Sequence, residues 1–347
     1  MTGGSYVPGR SVEADRTPSL VRPQGALAQG GDPVVLTPDD AGWDYAGLRV
    51  LRLAPGVPRD IETGGYEMFV LPLAGGCRVD IEGDIIHGDR GDGDRGDGDR
   101  GDRGDGDRGD GDRGDGETIS LQGRDSVFTR VTDFAYLGRD SRVTLTSQMG
   151  AEIALPMALA EEALPPRYGP AEAVPVEVRG AGPATRQVTS FGTPEAWPHA
   201  DRLMACELIT PGGNWSSYPP HKHDHTCEVS NEEIYYFRVA TRDGRTTSRD
   251  GMALHRTYDD YDNQVDVTAE VRDGDVALIP RGYHGPCAAA PGYDLYYLNV
   301  LAGPRRGQDR SMAFCDDPAH AWVRDSWAGM TPDPRCPVTS AAGRRAP

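Results

Sequence analysis

"SSYPPHKHDHTCEVSNEEIYYFR", residues 216–238, places three histidines within five positions and follows them with two adjacent glutamates and a tyrosine pair. His221 and His223 are two apart, so on a strand both imidazoles face one way while Lys222 faces the other. Glu233 opens the run "EIYYFRV", and a hairpin across the intervening residues returns its carboxylate to the histidines. Later, "GDVALIPRGYH" (274–284) sets His284 beyond a short apolar run and a turn made by Pro280 and Gly282. An isolated His-x-His is most often a polar strand or loop. A third imidazole and a carboxylate in matching context reverse that balance. His221, His223, Glu233 and His284 form a donor set that suits one borderline divalent cation per chain, Zn, Mn, Fe, Co or Ni, with positions left for substrate oxygens. Glu232 is the rival of Glu233; the strand that continues from Glu233 favours the latter as ligand.

Outward from this stretch the chain reads as short strands. "RLMACELIT" (202–210), "VDVTAEV" (265–271) and "YDLYYLNVLAG" (293–303) are rich in β-branched and aromatic residues. Upstream, "LRVLRL" (48–53), "YEMFVLPL" (66–73), "TISLQG" (118–123) and "RVTLTS" (142–147) repeat the pattern between Gly, Asp and Pro. The expectation is an all-β chain of two tandem barrel-like domains, residues 1–162 and 189–330. A Pro-rich linker (163–188) joins them and a tail (331–347) follows. Helix is confined to "AEEALP" near 160 and "DPAHAWVRDSW" (317–327). Residues 88–116 use only Gly, Asp and Arg in a GDGDR repeat. They lack the apolar residue that stacks a calcium β-roll and the terminal Glu of an EF-hand loop, so they read as a solvated insertion at a hairpin tip.

Composition narrows the function classes. The 347 residues carry a formal net charge of −18, which argues against a polyanionic partner because nucleic-acid binding needs clustered Lys and Arg. No stretch approaches the roughly 20 apolar residues of a membrane span, and the start lacks the apolar core of a signal peptide. The expectation is a cytoplasmic protein acting on a small molecule. The six cysteines are scattered and read as reduced thiols. His87 is the only histidine before residue 199, so the first domain cannot assemble an imidazole cluster. His225 reads as a solvated loop residue, and His199, His255 and His320 as structural or surface groups.

His-x-His, a following Glu and the G-x5-P-x-G-x-H run resemble the two metal motifs of the cupin superfamily. "SSYPPHKHD", "EEIYYFR", "VRDGDVALIPRGYH", "GYDLYYLNVLAG" and "DPAHAWVRDSW" resemble more closely the bacterial 5-deoxy-glucuronate isomerases of inositol catabolism, which are bicupin enzymes. The similarity continues through "GRDSVFTRVTDFAYL" and "VEVRGAGPATRQV". Two departures stand out: His223 and Glu233 lie further apart than in compact cupins, and Gly285 stands where a proline follows the GYH histidine.

The resemblance implies two jelly-roll cupin domains, the first without metal, and by analogy with cupins that pair through their β domains a homo-oligomer is expected. It implies isomerisation of 5-deoxy-D-glucuronate to 5-dehydro-2-deoxy-D-gluconate, an aldose–ketose conversion between C1 and C2. For the proton that moves, Glu232, a metal-bound water or a hydride shift without any base remain open. Arg186 and Arg281 are candidates to hold the sugar-acid carboxylate, and Tyr235 and Tyr297 to line the sugar pocket. Three rivals stand beside this reading: the uronate ketol-isomerase of pectin breakdown, a cupin dioxygenase and a non-catalytic sugar-acid-binding cupin.

Overall fold

The computed structural model describes residues 20–83, 116–241, 250–259 and 264–345. Strands dominate it, and the α-helices among these residues are the single turns Pro38–Ala41 and Val323–Ser326. The second falls within the 317–327 stretch expected to be helical. "AEEALP" forms no helix, because the strand Ala151–Leu159 runs up to it and the prolines that follow cannot continue one.

The C-terminal unit is built from two sheets. A seven-stranded sheet runs in the order Val21–Arg22, Val276–Ile279, Glu232–Thr241, Tyr293–Ala302, Met204–Thr210, Arg186–Gly192, Val176–Arg179. A smaller sheet carries Ala253–Tyr258, Tyr283–Ala289, His221–Lys222 and Cys315–Asp316. The N-terminal unit is a nine-stranded sheet centred on Tyr66–Ile81, which bends across two bulges and pairs with Ala151–Leu159 on one side and Glu117–Arg124 on another. Ile81 pairs with Glu117 across the segment holding the GDGDR repeat; His87 and, apart from Gly116, the repeat itself lie outside the described residues.

Alternation explains how the runs pack. Along Glu232–Thr241, Tyr235, Phe237 and Val239 enter the core of the C-terminal unit, while Ile234, Tyr236 and Ala240 enter a core shared by both units. Tyr66–Ile81 does the same, with Met68, Val70 and Val79 inside its own unit and Phe69, Leu71 and Leu73 in the shared core. Strands buried on both faces read as continuous apolar runs, which is why these two are conspicuous in the sequence. The shared core contains edge-on rings of Phe69, Phe134, Phe191 and Trp197 with centroids 4.9–6.2 Å apart. Full burial of each such side chain contributes about 1.5–3 kcal/mol, so the two units pack as one body rather than as beads.

Three boundary expectations change. Residues 163–188 are not a linker: Arg167–Gly169 pairs with Phe134–Leu137 of the first unit and Val176–Arg179 with Arg186–Gly192 of the second. Val21–Arg22 belongs to the C-terminal sheet although it lies near the start of the sequence. The tail is folded, with Cys336 and Val338 in the shared core and Thr339 bonded to Gln187. Alternating polar residues and prolines hide these edge strands, which bury one face at most. Cys227 and Cys315 are joined as a disulfide, contrary to the expectation of six free thiols; Cys77, Cys206, Cys287 and Cys336 are buried and free.

Candidate metal centre

His221 and His284 meet as cross-strand partners in the small sheet, with ring centroids 4.5 Å apart. Lys222 turns to the other side, where its ammonium lies 4.5 Å from the Tyr283 ring. His223 follows, its ring 4.9 Å from that of His284. Glu233 arrives from the large sheet, paired with Ile279 and Leu301. Its Oε2 lies 3.0 Å from His223 Nε2 and 2.8 Å from His284 Nε2. One ligand atom from each of His223, Glu233 and His284 falls within 4.8 Å of the other two, and all three residues are buried. His221 stands beside this trio rather than in it and is the most accessible of the four.

Backbone carbonyls set the tautomers. His223 Nδ1 is 2.9 Å from Asn231 O and His221 Nδ1 is 3.2 Å from Pro219 O, so each Nδ1 carries the hydrogen and each neutral ring presents the bare Nε2 lone pair. A bare nitrogen facing a carboxylate oxygen at 3.0 Å is repulsive unless a cation lies between them. His284 Nε2 is buried and makes no hydrogen bond despite its closeness to Glu233. A lone proton can relieve the contact to one ring; a divalent cation relieves all of them. Burial pushes the His221 imidazole well below its usual range, reinforced by His284. Burial is again the largest influence on His223, but the Glu233 charge together with the hydrogen bonds to Glu233 and to the Asn231 carbonyl outweighs it and the net shift is upward. Burial alone would raise the Glu233 carboxyl, yet His284 and His223 more than offset it and hold the group well below the usual carboxylate range. The donor set of imidazole nitrogens around one anionic oxygen therefore fits a borderline divalent metal.

Two supports escape a reading of the sequence. Asp224, buried directly after the histidine pair, accepts a hydrogen bond from Gly282 N at 3.1 Å and so ties the first motif to the second. Its signal is the acid in "HKHD". Gly285 explains the departure after the GYH histidine: a Cβ there would collide with Ser217 O. That close approach sets Ser217, whose hydroxyl lies 3.1 Å from Tyr235 Oη and 2.9 Å from Tyr297 Oη.

His223 and Glu233 of the trio line a cavity of about 800 Å³ together with His221, Tyr235, Ser217 and Arg186 among others, and His284 lies buried behind them. Arg186 is 8% exposed, makes one hydrogen bond, to Ala184 O, and leaves Nε without a partner. No ion pair involves it among the described residues. Burial, aided by Arg179 and Arg324, lowers its pKa to about 10, which keeps it charged at neutral pH. Arg324 also lines the cavity but is held by Asp316 at 2.5 and 2.7 Å.

Three of the residues singled out in the sequence fall elsewhere. Glu232 points to the opposite face from Glu233 and accepts hydrogen bonds from the backbone of Asp44, Tyr45 and Ala46 at 2.7–2.8 Å, so it has no access to a substrate proton. Arg281 does not line the cavity; its guanidinium lies 3.5 Å from Asp259 and from Gln264. Tyr297 is fully buried behind Tyr235, ring centroids 4.6 Å apart, and reaches the cavity only through Ser217. His225 is exposed and His255 is buried against Cys287 and Thr257.

The family model described as KduI/IolB matches residues 20–91 and 111–323. The chain belongs to the KduI/IolB family. It is 34% identical over 311 residues to 5-deoxy-glucuronate isomerase of Geobacillus kaustophilus, covering 88% of this chain and 96% of that protein. The enzyme of the same name from Bacillus subtilis strain 168 is 38% identical over 204 residues, 58% of this chain and 70% of the relative. Among solved structures, an IolB-like protein from Salmonella typhimurium superposes with a TM-score of 0.69 at 28% identity, covering 88% of this chain and 98% of that one. An oxalate decarboxylase of Lactobacillus farciminis, at TM-score 0.51 and 12% identity over 81% of this chain and 84% of that one, shares the fold alone. Both likenesses agree with the all-β bicupin architecture.

Proposed function

We propose that this chain is a metal-dependent aldose–ketose isomerase that converts 5-deoxy-D-glucuronate to 5-dehydro-2-deoxy-D-gluconate in inositol catabolism. The observation that carries the reading is one cavity lined both by His221, His223 and Glu233 of the His/Glu cluster and by a buried arginine that has no acidic partner among the described residues. His223, Glu233 and His284 would hold one divalent cation, with His221 as the fourth ligand. Bound there, the cation supplies Lewis acidity to a carbonyl oxygen and its neighbouring hydroxyl.

The chain's own groups do the rest. Arg186 takes the C6 carboxylate in its planar fork, since a buried unpaired cation is costly and an anionic ligand removes that cost. This fixes the sugar acid end for end and sends C1 and C2 to the histidines. Burial raises the Tyr235 phenol well above its usual pKa, so at neutral pH it is a hydrogen-bond donor toward an oxygen gaining charge, not a base. Glu233 stays ionised and serves the cluster rather than the proton transfer. With Glu232 turned away, the C2 proton needs a base other than a second glutamate of this strand.

The same reading assigns the protein to the cytoplasm as a homo-oligomer. In a reducing compartment Cys227 and Cys315 would stand as thiols, and no proposed step uses them. Proton NMR of the metal-analysed protein with 5-deoxy-D-glucuronate tests the activity. Loss of the C1 aldehyde signal with growth of the C1 hydroxymethyl signal, stopped by chelator, is the expected result. Turnover only of the pectin-derived uronate, or oxygen uptake, would move the assignment to another reaction on this scaffold.

A further inference from the structure

We infer that Glu232 is a positioning residue through which the N-terminal unit, which contributes none of the four candidate ligands, holds the metal centre of the other unit in register. The inference rests on the metal-centre reading above. Neighbouring residues on a strand face opposite ways, so Glu232 and Glu233 share a backbone while serving different sites. Glu232 Oε1 accepts from Asp44 N at 2.7 Å, and Oε2 accepts from Tyr45 N and Ala46 N, both at 2.8 Å. Three backbone donors on one carboxylate fix its position in all directions, and charge-assisted bonds of this kind are stronger than neutral ones.

The residue before it carries the coupling further. Asn231 O accepts from His223 Nδ1 at 2.9 Å, Asn231 N donates to His223 O at 2.9 Å, and Asn231 Nδ2 donates to Ser311 O at 2.9 Å. The three consecutive residues 231–233 thus orient one candidate ligand, clasp the other unit and supply a second ligand. A shift of Glu232 moves His223 and Glu233 together.

The fold contains its own control. Glu67, at the start of Tyr66–Ile81, makes the reciprocal clasp: it accepts from Asp201 N, Arg202 N and Leu203 N at 2.7, 2.5 and 2.7 Å. Glu67 pairs with Ala158 as Glu232 pairs with Ala302. The residue after Glu67 is Met68, a core side chain and no ligand. Both clasps join the units, but only one of them adjoins a ligand.

The test compares E232A, E232Q and E67A in the full chain. The readouts are the Zn²⁺ dissociation constant, by competition with a chromophoric chelator, and the visible spectrum of the Co²⁺ form. Thermal unfolding of each metal-free variant confirms folding. Removing an outer partner of a ligand typically weakens metal binding by about 10–100-fold. The expected result is about tenfold or more for E232A with an altered Co²⁺ spectrum, and an intermediate loss for E232Q, which keeps one accepting oxygen. E67A, which also strands the buried Tyr136 hydroxyl and so costs more thermal stability, stays within about threefold of the native chain in metal affinity because no ligand adjoins it. Equal shifts in E232A and E67A, or a native Co²⁺ spectrum in E232A, would overturn the positioning role. A native chain that binds no metal would overturn the metal-centre reading itself and this inference with it.

Discussion

The two units place comparable strands around two different interiors. In the N-terminal unit the residue after the clasping glutamate is Met68, which packs with Leu51, Val70, Leu137, Leu145 and Ile153. In the C-terminal unit it is Glu233, which faces His223 and His284 across 3.0 and 2.8 Å. One interior stabilises; the other trades part of its apolar contact for buried imidazoles around one carboxylate, a set that could hold a metal ion. The scaffold is common to both, and the chemistry lies in which side chains occupy the inward positions.

Exchanging these positions gives the largest expected effects. H221A with H223A removes two of the four candidate ligands and none of the apolar core, so metal and isomerase activity should vanish together while circular dichroism stays that of a β protein. E233M gives the second interior the residue of the first. It should abolish metal binding and activity together while circular dichroism stays that of a β protein, because the buried imidazoles lose the one anionic oxygen they surround. The reciprocal M68E puts a carboxylate among apolar side chains with no imidazole near it, and chemical denaturation should show a loss of about 3–5 kcal/mol.

Arg186 sharpens the comparison on the ligand side. R186A should lower kcat/KM by about 100-fold through loss of a charge-assisted carboxylate contact, chiefly in KM, with metal content unchanged by elemental analysis. R186K should recover only part of it, since a point charge cannot reproduce the fork.

The smallest effect is the pH dependence of the metal-free protein over the first pH unit below neutrality's edge. His255 is buried and its pKa is lowered to about 3, first by burial and then by His284. A depressed imidazole binds its proton more readily when unfolded, so stability is retained above the unfolded value of about 6.5 and declines as pH falls from there toward the folded value. One such group contributes a loss of about 1 kcal/mol between pH values of roughly 6 and 5. H255Q should make the urea-unfolding profile less steep there, with the remaining slope coming from the likewise depressed His221, whereas a substitution in the N-terminal interior should shift the profile without changing its slope.

Much of this is legible in the residues alone. Strands such as Tyr66–Ile81 and Tyr293–Ala302 announce themselves because both faces are buried and long stretches of them are apolar. The ligand candidates are legible because His221, His223 and His284 sit in motifs with fixed spacing. What stays hidden depends on contacts between distant segments. Alternation dictates that Glu232 and Glu233 face opposite ways, but not which faces the histidines; that depends on the backbone at 44–46. Arg186 and Arg281 look alike as charged residues beside motifs, and only the sheet order sends the first into the cavity and the second outward. Val176–Arg179 is an edge strand with one half-buried and three exposed residues, too polar to separate from a linker.

The most direct test measures metal content and substrate conversion on the same preparation. The protein is stripped with chelator, titrated with a divalent metal and followed by proton NMR with 5-deoxy-D-glucuronate. Conversion should rise with added metal and saturate at one equivalent per chain. Conversion in the stripped protein, or saturation only at two equivalents, would contradict a single metal centre carried by the C-terminal unit.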